Sequence, residues 1–155
     1  MEAPEFVVRA VGVVSSPRTE VVDDHWGGVV ATVALLPPFG PDSISGLLTF
    51  SHLDVVYLFD RVDPTQVCTG RRRPRGNPAW PEVGIFAQRA KDRPNRLGVS
   101  TCELLSADGT TVTVRGLDAV DGTPVLDIKP HLAELDPRRE VVQPTWSRDL
   151  MTRYW

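Results

Sequence analysis

Gly84-Ile85-Phe86-Ala87-Gln88-Arg89-Ala90-Lys91-Asp92-Arg93-Pro94-Asn95-Arg96-Leu97-Gly98-Val99-Ser100 is the stretch around which the chain is organised. An apolar run from Val83 to Ala87 reads as a strand, and Leu97-Gly98-Val99 resumes the apolar pattern after a turn carrying four cations and one acid. Pro94 fixes its own φ and pushes Arg93 out of the helical region, so the turn is stiff. Two strands joined by a rigid cationic elbow suit the holding of an anionic or polar ligand. A solvated loop with ordinary arginines is the other reading the composition leaves open.

The rest of the chain sets the class. At 155 residues, 41% hydrophobic and 24% charged, it has the make-up of one soluble domain, 1–155, large enough to bury a core. No apolar run is long enough to span a bilayer, and the N-terminus lacks a basic-then-apolar secretory pattern, so the cytoplasm is the expected compartment. Cys68 and Cys102 have no CxxC spacing, and His25, His52 and His131 stand far apart. Neither a disulfide framework nor a metal site is indicated. The formal net charge of −3 argues against a general nucleic-acid coat, although Arg71-Arg72-Arg73-Pro74-Arg75 and the elbow are locally basic.

Along the chain, Phe6–Val14 reads as a β-branched strand ended by Ser15-Ser16-Pro17. Asp23-Asp24-His25-Trp26-Gly27-Gly28 is a loop whose Trp suits either stacking on a ligand ring or closing one end of a barrel. Val29–Leu36 is the next strand, stopped by Pro37-Pro38. Asp42–Leu47 reads as a short helical turn with Asp42 as N-cap, and Leu53–Phe59 as a strand ending in Asp60-Arg61. Residues 63–81, rich in Pro, Gly and Arg, read as a long loop or arm.

Leu97–Leu105 pairs with Thr111–Leu117 across Ala107-Asp108-Gly109, and Asp121-Gly122 turns the chain into Val125–Pro130. Trp146, Leu150, Met151 and Tyr154 recur at helical spacing in the tail 136–155, which predicts a short helix docking on the barrel or on a second subunit. Six or seven short strands with Gly/Pro turns predict a mainly β fold, a small antiparallel barrel with short helices and a polar mouth. No GxGxxG follows a first strand, so a Rossmann domain is excluded.

The elbow, Gly84–Arg89 followed by Arg93–Ser100, resembles the central motif of the TsaA-like family, which contains the TrmO-type tRNA methyltransferases and typically reads GVFATRSPFRPNPIGLS. Three more segments agree in order: Gly12–Pro17 with IGVVRSP, Gly46–Leu53 with GLEGFSHL, and Gly116–Pro130 with GLDLLDGTPVLDIKP. Together they cover roughly residues 10–132.

The resemblance implies a dimeric β-barrel methyltransferase that binds S-adenosyl-L-methionine near the subunit interface. It also implies methylation of the exocyclic nitrogen of threonylcarbamoyl-adenosine beside the anticodon of tRNA. Carried over by position, cofactor contacts fall on Asp60, Arg61, Arg89, Val99 and the turn Val120-Asp121-Gly122-Thr123. Arg93 and Asn95 are the expected substrate-orienting, catalytic pair.

The chain also departs from the pattern. Asp23–Trp26 stands where the family carries Pro-Arg-Gln, Asp60-Arg61 replaces His-Gln, and Arg96-Leu97 replaces Pro-Ile. His25 and Trp26 are therefore expected against substrate, as are Arg71, Arg72 and Arg73 against RNA. A methyltransferase acting on a small molecule, or a noncatalytic module binding the cofactor or RNA, are the competing readings.

Overall fold

The computed structural model describes residues 1–155. Six strands close an antiparallel barrel in the order β1-β2-β7-β6-β3-β8, with β8 returning to β1. The strands are β1 (Gly12–Ser15), β2 (Val30–Leu35), β3 (His52–Leu58), β6 (Leu97–Asp108), β7 (Thr111–Arg115) and β8 (Pro124–Pro130). A separate two-stranded ribbon joins β4 (Arg71–Arg72) to β5 (Val83–Gly84).

Alternation of side chains across each strand fills the barrel. On β7, Val112 and Val114 point inward and are fully buried, while Thr111, Thr113 and Arg115 face outward. Val14, Val33, Leu53, Val55, Leu117 and Val125 meet them in one core. Burying each such side chain stabilises the fold by about 1.5–3 kcal/mol. Register shifts at Val56/Tyr57 and Leu104/Ser106 bend β3 against β8 and β6 against β7, as tight closure requires. The final seam is short, with Gly12 opposite Val125 and Val13 opposite Pro124.

Three local readings are corrected. The first strand is Gly12–Ser15 rather than Phe6–Val14, and Phe6, Val7 and Val8 are exposed. The ladders of β1 with β2 and β8 reach upstream only to Gly12, opposite Leu35 and Val125, and the residues before Val11 join no sheet. Val83–Ala87 is a two-residue strand followed by a 3-10 turn, Ile85–Ala87. In the antiparallel register Ile85–Ala87 would lie opposite residues upstream of Arg71, and there the pairing ends with the Ile85 N–H donating to the Gly70 carbonyl at 2.8 Å as the chain tightens into the turn. Asp42 lies inside the 3-10 helix Pro41–Ile44, whose cap position is Gly40, and no side chain caps it.

Strand directions sort the connections between the two rims. One rim receives the β1–β2 loop (16–29), the long β3–β6 connection (59–96) and the β7–β8 segment (116–123). The chain leaves β8 at the opposite rim, yet its tail returns to the first. After helix α1 (Thr145–Met151), the backbone N–H groups of His25 and Trp26 donate to the carbonyls of Arg153 (2.9 Å) and Tyr154 (2.8 Å). Trp146 of α1 packs on Trp80, with ring centroids 6.5 Å apart.

Candidate functional site

Every residue expected to touch cofactor or substrate lies on a connection at that first rim, save Val99, which is two residues into β6. The elbow is a left-handed turn. Asn95 (φ 62°) and Arg96 (φ 51°) both take positive φ, a conformation asparagine tolerates better than most residues. The Arg96 carbonyl accepts from the N–H of Phe59, and its guanidinium donates to the carbonyl of Val62 at 2.9 Å. The elbow is thereby sewn to the exit of β3. Arg93 donates to the carbonyl of Gln88 at 2.8 Å, which orients it within the elbow, while the Asn95 side chain is exposed.

Arg61 gathers two further loops, donating to the carbonyls of Thr19 and Asp121, the latter at 2.9 Å. Asp121 Oδ1 accepts from the backbone N–H of Ser16 at 3.0 Å. Gly122 turns the chain at φ 81°, in the left-handed region, with open space where a side chain would stand. Thr123 is buried and donates to the carbonyl of Val120 at 2.7 Å, closing the turn on itself. Asp60 is exposed beside Arg61. Arg89 uses one guanidinium nitrogen on the carbonyl of Val99 at 3.0 Å, leaving its other N–H groups facing solvent.

Behind this turn lies a hydroxyl cluster that motif reading passed over. Asp118 Oδ1 accepts from Tyr57 at 3.0 Å and from Ser100, and Oδ2 accepts from the phenol of Tyr154. Burial, then the Asp118 charge, raises the Tyr57 and Tyr154 hydroxyls well above their ordinary range. Burial likewise pushes the Cys102 thiol up to about 12, so it stays protonated and unreactive. Asp118 stands inside the Gly116–Pro130 motif and Ser100 ends the elbow motif, which were the available signals. Nothing in the sequence ties Tyr154 to either.

The aromatic and basic expectations divide. Trp26 is buried rather than presented to a ligand, and the Arg18 guanidinium covers its ring at 4.4 Å. It closes the rim, the other role its sequence context allows. His25 is exposed at positive φ, held through its backbone.

Within the arginine cluster, Arg72 is paired with Asp92 at 2.6 Å, and Arg75 grips Asp24 through two nitrogens at 2.9 and 3.2 Å. Arg73 donates to the carbonyl of Trp80, and Arg71 is exposed. Two of these cations therefore brace the arm against the elbow and the first loop, instead of forming an open basic face.

A closed six-stranded barrel whose polar side chains gather from three connections at one rim defines a small β-barrel domain with a polar rim. The chain belongs to the tRNA-methyltransferase O N-terminal domain family, whose model matches residues 16–137. A Methanothermobacter thermautotrophicus protein named a probable S-adenosyl-L-methionine-binding protein is 36% identical over 143 residues, spanning 88% of this chain and 97% of that one. The human tRNA (adenine(37)-N6)-methyltransferase is 35% identical over 102 residues, 66% of this chain but only 23% of the human protein. The crystal structure of TrmO from Pseudomonas aeruginosa superposes with a TM-score of 0.74 at 28% identity, covering 91% of this chain and 62% of that chain.

Proposed function

We propose that the chain is an S-adenosyl-L-methionine-dependent methyltransferase, acting as one domain over 1–155 on the exocyclic nitrogen of threonylcarbamoyl-adenosine beside the anticodon of tRNA. The observation that carries this reading is the convergence of Arg61, Arg89 and the Asp121-Gly122 turn on one rim, in a chain of this family.

The donor set fits the cofactor. The free N–H groups of Arg89 suit a carboxylate, Asp121 offers an oxygen to hydroxyl or ammonium groups, and open space at Gly122 lets the backbone approach a ligand. Asp60, Val99, Val120 and Thr123 complete the wall. Bound S-adenosyl-L-methionine supplies a methyl group already activated on a sulfonium, so the protein needs to form no covalent intermediate. The work of the chain is alignment: Arg93 and Asn95 orient the acceptor from the elbow while Arg61 holds the two opposing loops.

Phe86, Leu97 and Val99 are exposed apolar side chains beside the elbow, which supports a homodimer with the cofactor near its interface. A cytoplasmic setting accords with a tRNA substrate, and no helix is long and apolar enough to cross a membrane. The small-molecule reading draws on the internal pairing of Arg72 and Arg75, which shrinks the basic face available to RNA.

The test is transfer of a labelled methyl group from S-adenosyl-L-methionine in a cell extract, with label sorted between tRNA and small molecules. Label in tRNA is expected, and Arg89→Ala should weaken cofactor binding about tenfold or more. Label in small molecules alone would replace the substrate. No label and no cofactor binding would overturn the reading.

A further inference from the structure

A cavity lies where the tail meets the arginine arm. It is a cleft of about 460 Å³ lined by Asp24, Arg75, Asn77, Trp80, Asp149 and Arg153, among others. That volume is in the range of small-ligand sites. None of the motifs shared with the family reaches the tail side of this cleft, and the family match ends at residue 137.

Two of its four charges are spent, because Arg75 and Asp24 hold one another. The other two are not: Asp149 and Arg153 take part in no ion pair and no side-chain hydrogen bond. Asn77 accepts from the N–H of Ala79 at 2.9 Å through its oxygen, which leaves its amide N–H groups free. Trp80 is half-buried against Trp146, and Arg73 is anchored at its carbonyl.

The cleft thus combines an aromatic ring, a free carboxylate, a free amide donor and one unpaired guanidinium, with no net charge among its four ionic groups. A bare phosphate would gain little there. A base with both donors and acceptors on its edge would use every one of these groups.

The cleft also adjoins the cofactor rim. Arg153 precedes Tyr154, whose phenol reaches Asp118, and Asp24 sits in the loop whose next two residues pair with the tail.

We infer that this cleft is a subsite for an unpaired nucleoside of the RNA substrate, a neighbour of the methylated one. The base lies against Trp80, with its edge read by Asp149 and Asn77 and its backbone phosphate met by Arg153. This rests on the tRNA reading above.

Binding of a fluorescent anticodon stem-loop RNA to the full chain tests it, alongside calorimetric binding of S-adenosyl-L-methionine. Trp80→Leu and Arg153→Gln should each weaken RNA binding by about tenfold, the scale of one base–aromatic stack or one charged contact. Trp80→Phe should restore most of it, and cofactor affinity should stay within about twofold of the parent's in all three.

Because Trp80 also supports Trp146, Arg153→Gln and Asp149→Asn provide versions of the test that leave the packing alone. If the parent binds RNA and these two variants bind it equally well, the subsite is refuted and the tRNA reading stands. If the parent binds cofactor but no RNA, the tRNA reading fails and takes the subsite with it.

Discussion

The phenol of Tyr154 donates to Asp118 Oδ2, joining the tail to the segment that carries the Val120–Thr123 turn. It is the sole partner of that oxygen, since Tyr57 and Ser100 both serve Oδ1. Tyr154→Phe keeps the ring and removes the donor, with an expected loss of about 1–2 kcal/mol in urea unfolding.

The same pair sets an alkaline limit. Burial, then Asp118, raises both phenols above their ordinary value of 10.0, so the folded state favours their neutral form. This stabilisation is complete below the unfolded value and is lost as pH rises above it. Stability of the parent should therefore fall above about pH 10, and Tyr154→Phe should fall less steeply. Parallel slopes in urea titrations across that range would show that the contact does not form in solution.

On the outer wall, His131 sits between two carboxylates, with Nδ1 3.0 Å from Asp54 and Nε2 2.9 Å from Asp136. A neutral imidazole can donate at only one nitrogen, so satisfying both contacts requires the charged ring. The hydrogen bonds to Asp54 and then Asp136 raise the His131 pKa above 6.5. At Asp54, burial works the other way, but the hydrogen bonds from Thr101 and His131 outweigh it and lower that carboxyl.

With a raised folded-state value, the clamp's contribution is full below pH 6.5 and disappears as pH climbs through the folded pKa. Melting temperature should decline over that interval in the parent and stay flatter in His131→Gln. A proton NMR titration of the ring, giving a midpoint at or below the ordinary histidine value, would rule the clamp out.

Gly98 is where β6 passes closest to the aromatic pair. A Cβ there would lie 2.5 Å from Tyr57 Cε2 and 2.9 Å from Phe59 Cζ. Those rings meet edge to face at 5.4 Å, and Tyr57 is pinned by Asp118, so neither can yield freely. Gly98→Ala should cost about 1–3 kcal/mol, read from the urea midpoint with unchanged slope.

Much of the barrel could be read from the chain because its strands alternate. Val112 and Val114 face inward with period two, and Asp121-Gly122 is a turn for reasons of backbone sterics alone. The ends of strands were harder. Phe6–Val8 has every local feature of a strand and lacks only a partner: the ladders of β1 with β2 and β8 reach upstream no farther than Gly12. Val83–Ala87 failed in the same way, since β4 runs for two residues only.

The rim residues were reachable through motif spacing, and their clustering follows from strand direction. The links of Arg61 to Thr19 and Asp121, and of Tyr154 to Asp118, span 36 to 60 residues of chain and leave no periodic trace. The role of Trp26 is set by partners that leave no local trace, since its N–H donates to the carbonyl of Tyr154, more than a hundred residues along the chain.

β8 meets β1 through two residue pairs only, so the ring of strands is closed while Leu126–Pro130 has β3 on one edge and no strand on the other. A second copy extending the barrel sheet would find only that short edge to pair with. Over the rest of the barrel, assembly is a matter of side chains on the outer wall, where single substitutions can tune it without disturbing the backbone pairing within.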